Sequence, residues 1–280
     1  MDLLWDIRVV LDLFLGGIGI GAFVLAAILY VVGKEEYKDV YTIGFFIAPI
    51  LVALGLFFLL LEIGRPFHAV IMLISVNPTS ILSWGGFLQG AFILLSVYTL
   101  YKVYKNQELN KSFLFGVMFL AFLIGIYHGA LLSSFGRSVW NGSLPVLFLA
   151  TSLFTGFFTT LLLAKILKNK RVHSKFVTSS MIVFLMLSVV SIIGWIYGLA
   201  SQDSSSKEAL EYLFSHYVVL IVLAVLLGTL IPLVLNIKTL FTQKELSSVE
   251  FNLSSISALV GVFVLKYVIV YLGQLDYLVK

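Results

Sequence analysis

The sequence predicts an all-α integral membrane protein with eight transmembrane helices, and three observations carry that prediction. Apolar residues make up 60% of the 280 and charged residues only 11%, against roughly 45–50% and 25% in a soluble domain. Eight separate apolar runs are each long enough to span about 30 Å of hydrocarbon at a rise of 1.5 Å per residue. The basic residues fall mainly in the segments between those runs. A net charge of +4 spread in this way is not a nucleic-acid surface. With no Cys, disulfides, thiolate metal sites and Cys-ligated iron–sulfur clusters are excluded on this chain.

The runs lie near residues 9–33, 41–63, 83–104, 113–134, 144–167, 175–200, 214–237 and 250–273. The first has a small-residue stretch, Ala22 to Ala27, that imitates a signal-peptide cleavage region. Asp2 and Asp6 before it oppose the net positive start that such a peptide needs, so it reads as a retained helix. Twelve of the bases follow the odd-numbered runs, among them Lys34, Lys38, Lys102, Lys105, Lys165, Lys168, Lys170, Arg171, Lys238 and Lys244. The other side has five, Arg8, Arg65, Arg137, Lys207 and Lys280. The positive-inside rule puts the richer side in the cytoplasm and both termini outside. In a prokaryote this means the cytoplasmic (inner) membrane. The sequence reads as one membrane domain, 1–280. Leu13-Phe14-Leu15-Gly16-Gly17 and Leu147-Phe148-Leu149-Ala150-Thr151, with Phe23 and Phe157 at the same offset, suggest a parallel repeat of 1–134 and 144–280.

Ionisable groups inside a bilayer are costly and are functional candidates by default. Here they gather toward the outer ends of the spans. Asp12 lies about one turn inside the first, where it reads either as a site carboxylate or as an end cap. Gly16 and Gly19 follow it on the same face, and Gly17 and Gly21 form a close-packing pair. Glu62 closes the second span and can pair with Arg65 in Glu62-Ile63-Gly64-Arg65-Pro66-Phe67-His68. Ser83-Trp84-Gly85-Gly86 starts the third, and Tyr127-His128-Gly129 ends the fourth, with Arg137 and Trp140 just beyond. His216 opens the seventh. Lys266 lies seven residues inside the eighth, within snorkelling distance of the outer surface. Pro232 is expected to kink the seventh. A cytochrome b needs facing His pairs, and the four His, two of them in loops, argue against haem. A transporter needs polar or broken helices near the midplane, and few polar residues stand out there. A quinone ring fits better. It needs donors such as Tyr127 or His128, an apolar slot for its tail, and an acid–base group such as Asp12 or Glu62.

In order along the sequence, Leu11-Asp12-Leu13-Phe14-Leu15-Gly16-Gly17-Ile18-Gly19-Ile20-Gly21-Ala22, Leu61-Glu62-Ile63-Gly64-Arg65-Pro66, Ser83-Trp84-Gly85, Tyr127-His128-Gly129-Ala130-Leu131-Leu132-Ser133 and Lys266-Tyr267-Val268-Ile269-Val270-Tyr271 resemble the NrfD-like family. These are the membrane subunits of polysulfide-reductase-type complexes. The resemblance implies two four-helix bundles and a quinone, menaquinone above all, bound near the outer face. It implies electron exchange with a four-cluster iron–sulfur subunit, which serves a molybdopterin catalytic subunit or another reductase. Haem and iron–sulfur clusters are then expected only on partners. It assigns Tyr127 a hydrogen bond to a quinone carbonyl and places Asp12 where relatives carry a polar quinone contact, sometimes His. Lys266 stands where many relatives carry Arg, and His128 and Gly16 fall beside these positions. Arg65, His68, Arg137 and Trp140 are expected at the partner's docking surface. The terminal substrate (polysulfide, thiosulfate, tetrathionate, arsenate or nitrite) is not encoded in this sequence.

Overall fold

The computed structural model describes residues 5–33, 35–62, 80–168, 175–201, 204–242, 244 and 246–274. Nine α-helices carry most of them. Eight are long and apolar enough to cross a membrane, and no strand occurs among the described residues. We label them α1 (Ile7–Val32), α2 (Lys38–Glu62), α3 (Ile81–Tyr104), α4 (Lys111–Ser133), α5 (Leu144–Lys168), α6 (Lys175–Ser201), α7 (Ser204–His216), α8 (Val218–Thr242) and α9 (Ser248–Leu272). Seven expected spans agree with the structure to within about three residues. The ends are set by local chemistry. Asp6 caps α1 by accepting from Arg8 N–H at 2.7 Å, and Ser80 and Asn110 cap α3 and α4. Gly33, at φ +72°, closes α1 with an amide bond back to Leu29 O. Ser247 and Glu250 form a reciprocal capping box on α9.

The seventh span corrects the expectation. It begins at Val218 rather than 214 because residues 204–216 form their own short helix, α7. Ser205, Ser206, Ala209 and Leu213 of α7 face the protein, while Lys207, Glu208 and Glu211 face out. His216 therefore ends α7 instead of opening a span. A second departure lies inside α8, where Leu226–Leu230 form one wide π-helical turn just before Pro232. Pro232 has no N–H to return to Gly228, so a widened turn costs little there. The turn brings Gly228 backbone to backbone against Gly261 of α9, with no room for a Cβ on either.

Packing neighbours run α1–α2, α2–α3, α3–α4 and α4–α1 in the first half, and α5–α6, α6–α8, α8–α9 and α9–α5 in the second. α1 and α5 are the most buried spans and join the halves. They lie parallel, with Gly17 against Ser152 and Gly21 against Gly156. α2 runs antiparallel to α1, Gly44 meeting Ala22 and Ala26 while Gly55 meets Asp12. α3 and α8 are the least buried and present Phe87, Leu94, Val219 and Val234 outward. The interior also holds many buried hydroxyls at mid-depth, among them Thr151, Thr155, Thr160, Ser188 and Ser255. Each donates to a backbone carbonyl of its own helix, which hides it inside an apolar run.

Candidate functional site

Packing of α1, α3, α4, α5 and α9 brings together the polar side chains that each apolar helix carries singly. On α1, Asp12 is 1% exposed, well inside the helix that Asp6 caps, so the end-cap reading of Asp12 is set aside. Two glycines open its surroundings. A Cβ on Gly55 of α2 would sit 3.1 Å from Asp12 Oδ1, and one on Gly16 would sit 3.1 Å from His128 Cε1. On α4, Tyr127 and His128 both turn inward. The Tyr127 ring lies directly on the backbone of Gly85 in α3, where any side chain would overlap it. That contact explains the glycine in Ser83-Trp84-Gly85. One turn further along α3, Gln89 is fully buried, its amide nitrogen 3.4 Å from His128 Nε2 and its side chain facing the Asp12 carboxyl.

Lys266 approaches from α9. It does not snorkel. It is 1% exposed, and its ammonium donates to Leu13 O at 2.6 Å and stands 5.0 Å from the centre of the Phe148 ring. Gly17 makes that reach possible, because a Cβ there would meet both Lys266 Nζ and Ser152 Oγ of α5. The ammonium is near enough to Asp12 for the two charges to interact. A buried lysine in hydrocarbon is expensive, and the Leu13 carbonyl, the Phe148 ring and the nearby Asp12 carboxyl together offset that cost.

Among the described residues, five buried polar atoms of this cluster have no hydrogen-bond partner: Asp12 Oδ1, Gln89 Oε1, Tyr127 Oη, His128 Nδ1 and Ser152 Oγ. An unpaired buried polar atom costs about 1–3 kcal/mol, so a cluster of five fits a polar ligand far better than a packed core. The set mixes a phenol and an imidazole with a carboxylate and an amide oxygen. It can donate to carbonyl oxygens and accept from hydroxyls.

The other expected site residues fall elsewhere. Glu62 ends α2 two turns beyond Gly55, about 10 Å along the helix. It pairs with Arg8 at 2.7 Å and accepts from Asp6 N–H. Among the described residues its ion-pair partner is Arg8, and Arg65 and His68 lie outside the described residues. Arg8 also bonds Asp6, holding that carboxyl below the usual carboxylate range. Trp140, expected on a docking surface, is instead 1% exposed, its indole N–H donating to Ile269 O. Arg137 bonds Gly273 O and covers the Trp140 ring. Trp5 stacks on Trp140, and the Gln274 side chain brackets the Trp5 backbone at 2.7 and 2.9 Å. Together these residues tie the start of α1 and the end of α9 onto the α4–α5 connection. His216 is exposed and stacked on Tyr212, away from the buried His128.

Gln89 and Ser152 are site residues that the sequence reading misses. A lone amide one turn after Gly85, and a serine facing Gly17 across α1 and α5, are the available signals. Neither stands out among apolar neighbours without knowing which faces meet.

The family model for polysulphide reductase, NrfD, matches residues 1–277. A protein NrfD homolog of Haemophilus influenzae is 27% identical, over 98% of this protein and 95% of its own length. The C component of the polysulfide reductase of Wolinella succinogenes is 28% identical, over 96% and 94%. An Hdr-like menaquinol oxidoreductase integral membrane subunit of Archaeoglobus fulgidus is 26% identical, over 50% of this protein and 36% of its own length.

Proposed function

The chain belongs to the polysulphide reductase NrfD family of multi-pass membrane proteins, consistent with a membrane anchor of respiratory oxidoreductases, and from that premise we propose that it is the quinone-reactive subunit of such a complex. The five unpartnered buried polar atoms between α1, α3, α4 and α5 carry this reading. A relative matched over half of this protein is named as a menaquinol oxidoreductase subunit, which supports menaquinone as the ligand. The quinone couple supplies two electrons and two protons when bound. The protein's own residues do the rest. Tyr127 Oη and His128 donate to ring oxygens, and Asp12, the one carboxylate among the described residues of the cluster, takes and returns protons. Lys266 balances the Asp12 charge, and Gly85 and Gly16 keep the ring's place clear.

Among the described residues no group of three or more His, Asp or Glu stands ready for a metal. His128 and His216 have separate surroundings, which favours quinone over a bis-histidine haem. Electrons then pass to a partner, an iron–sulfur subunit at the outer face that serves a molybdopterin subunit. Relatives named as single components of polysulfide and selenate reductases support an assembly of several polypeptides. Placement in the inner membrane with both termini outside is part of the same proposal, and rests on the asymmetry of basic residues.

Replacing Tyr127 with Phe removes only a hydroxyl. A ligand hydrogen bond worth about 1 kcal/mol predicts about a fivefold loss of quinol oxidation in the intact complex. Asp12→Asn keeps the shape and removes the proton acceptor, and should cost at least as much. Wild-type turnover of a naphthoquinol by both variants would refute the assignment.

A further inference from the structure

We propose that Gln89 is a positioning residue that fixes the tautomer of His128, so that His128 presents Nδ1–H, and not a lone pair, to the polar cluster. Donors and acceptors decide the matter. The amide nitrogen of Gln89 lies 3.4 Å from His128 Nε2 and is a donor in every state. His128 Nε2 must then accept, and a neutral imidazole that accepts at Nε2 carries its proton at Nδ1. His128 Nδ1 is the ring atom that has no partner among the described residues. The same side chain interacts with the Asp12 carboxyl, another acceptor, which suits an amide nitrogen rather than an amide oxygen on that side. Gln89 Oε1 is consequently left over, and it too is buried and unpartnered.

One amide therefore sorts the cluster into two kinds of free group. Tyr127 Oη–H and His128 Nδ1–H are donors, suited to the two carbonyl oxygens of an oxidised ring. Asp12 Oδ1 and Gln89 Oε1 are acceptors, suited to the two hydroxyls of a reduced one. The assignment of both redox states rests on the quinone reading, whereas the tautomer does not depend on any ligand.

That difference separates the two in one experiment. The full-length protein, labelled with 15N-histidine and held in lipid nanodiscs, is measured by NMR, with the His128 signals assigned by their loss in His128→Gln. We expect the Nδ1–H tautomer in the wild type and the Nε2–H tautomer in Gln89→Glu at a pH where the new side chain is ionised, since a carboxylate can only accept from the ring. Gln89→Leu, with no donor, should give a mixture. Binding of 1,4-naphthoquinone to the same samples should weaken about fivefold or more in Gln89→Glu, the loss of one ligand hydrogen bond. A wild-type His128 protonated at Nε2 overturns the inference, as does a tautomer unchanged in both Gln89 variants. The expected tautomer switch without any naphthoquinone binding would uphold the inference for Gln89 and count against the quinone reading instead.

Discussion

A carboxylate and an ammonium buried in the same apolar surroundings stabilise one another only as a pair. Asp12 and Lys266 come from helices at opposite ends of the protein, and each is 1% exposed. The two charges interact without forming a contact ion pair, so removing one should cost less than the about 3–5 kcal/mol of a broken buried pair. Lys266→Met should therefore lower the thermal unfolding temperature in detergent, and adding Asp12→Asn should restore part of the loss. Additive effects in that double-mutant cycle would show that the charges do not couple. The glycines make a second residue-scale prediction. Gly85→Ala drives a methyl into the Tyr127 ring and should abolish naphthoquinone binding. Gly116→Ala, with nothing within 4 Å of the new atom, should be neutral. Equal binding in both would mean that the seat of the Tyr127 ring is irrelevant to the site. Asp12, Tyr127, His128 and Lys266 are legible in the sequence because polar groups in apolar runs are conspicuous. The choice between capping, snorkelling and burial is not. It depends on which neighbours are glycine, and those neighbours lie on other helices.

At the scale of elements, the spans are readable because length and hydropathy are local properties, and most ends agree within a turn. The seventh fails where two signals overlap. Phe214, Tyr217 and the apolar run after them form one hydrophobic stretch, yet Tyr217 breaks the helix and 204–216 folds as a separate amphipathic piece. Pro232 is expected to bend its helix, and the distortion takes the form of a wide turn over Leu226–Leu230. That turn matters because it lets Gly228 meet Gly261. Gly261→Leu should force α8 from α9 and reduce thermal stability by several degrees, with the polar cluster of the first half left intact. Unchanged stability would mean that the glycine contact contributes nothing. Of the residues expected on a docking surface, Trp140 is buried in the terminal tie with Trp5 and Gln274, and Arg137, half-buried, covers it. Arg and Trp in a loop suit a partner and an internal clasp equally well, and the burial of Trp140 is not readable from sequence.

For the whole molecule, the helices of 1–134 and of 144–280 pack among themselves and meet along the parallel contact of α1 with α5. Ala22 and Gly156, which the repeat would make equivalent, touch one another. The two halves are chemically unequal. The site residues Asp12, Gln89, Tyr127 and His128 all lie in the first, and the second contributes Ser152 and Lys266. Topology follows from the basic residues: reporter fusions should place the C-terminus and α7 outside and the segment 168–175 inside. A cytoplasmic C-terminus would reverse the face proposed for partner docking.

A quinone ring seated among Asp12, Gln89, Tyr127 and His128 would leave a direct mark on the helices around it. The decisive measurement illuminates the intact complex with a photoreactive naphthoquinone and maps the labelled peptides. Cross-links are expected to α1 around Asp12–Gly16, to α3 around Gly85–Gln89 and to α4 around Tyr127, all suppressed by excess unlabelled menaquinone. Competable labelling confined to α6, α8 or the second half of α9, with α1, α3 and α4 clean, would contradict that seat.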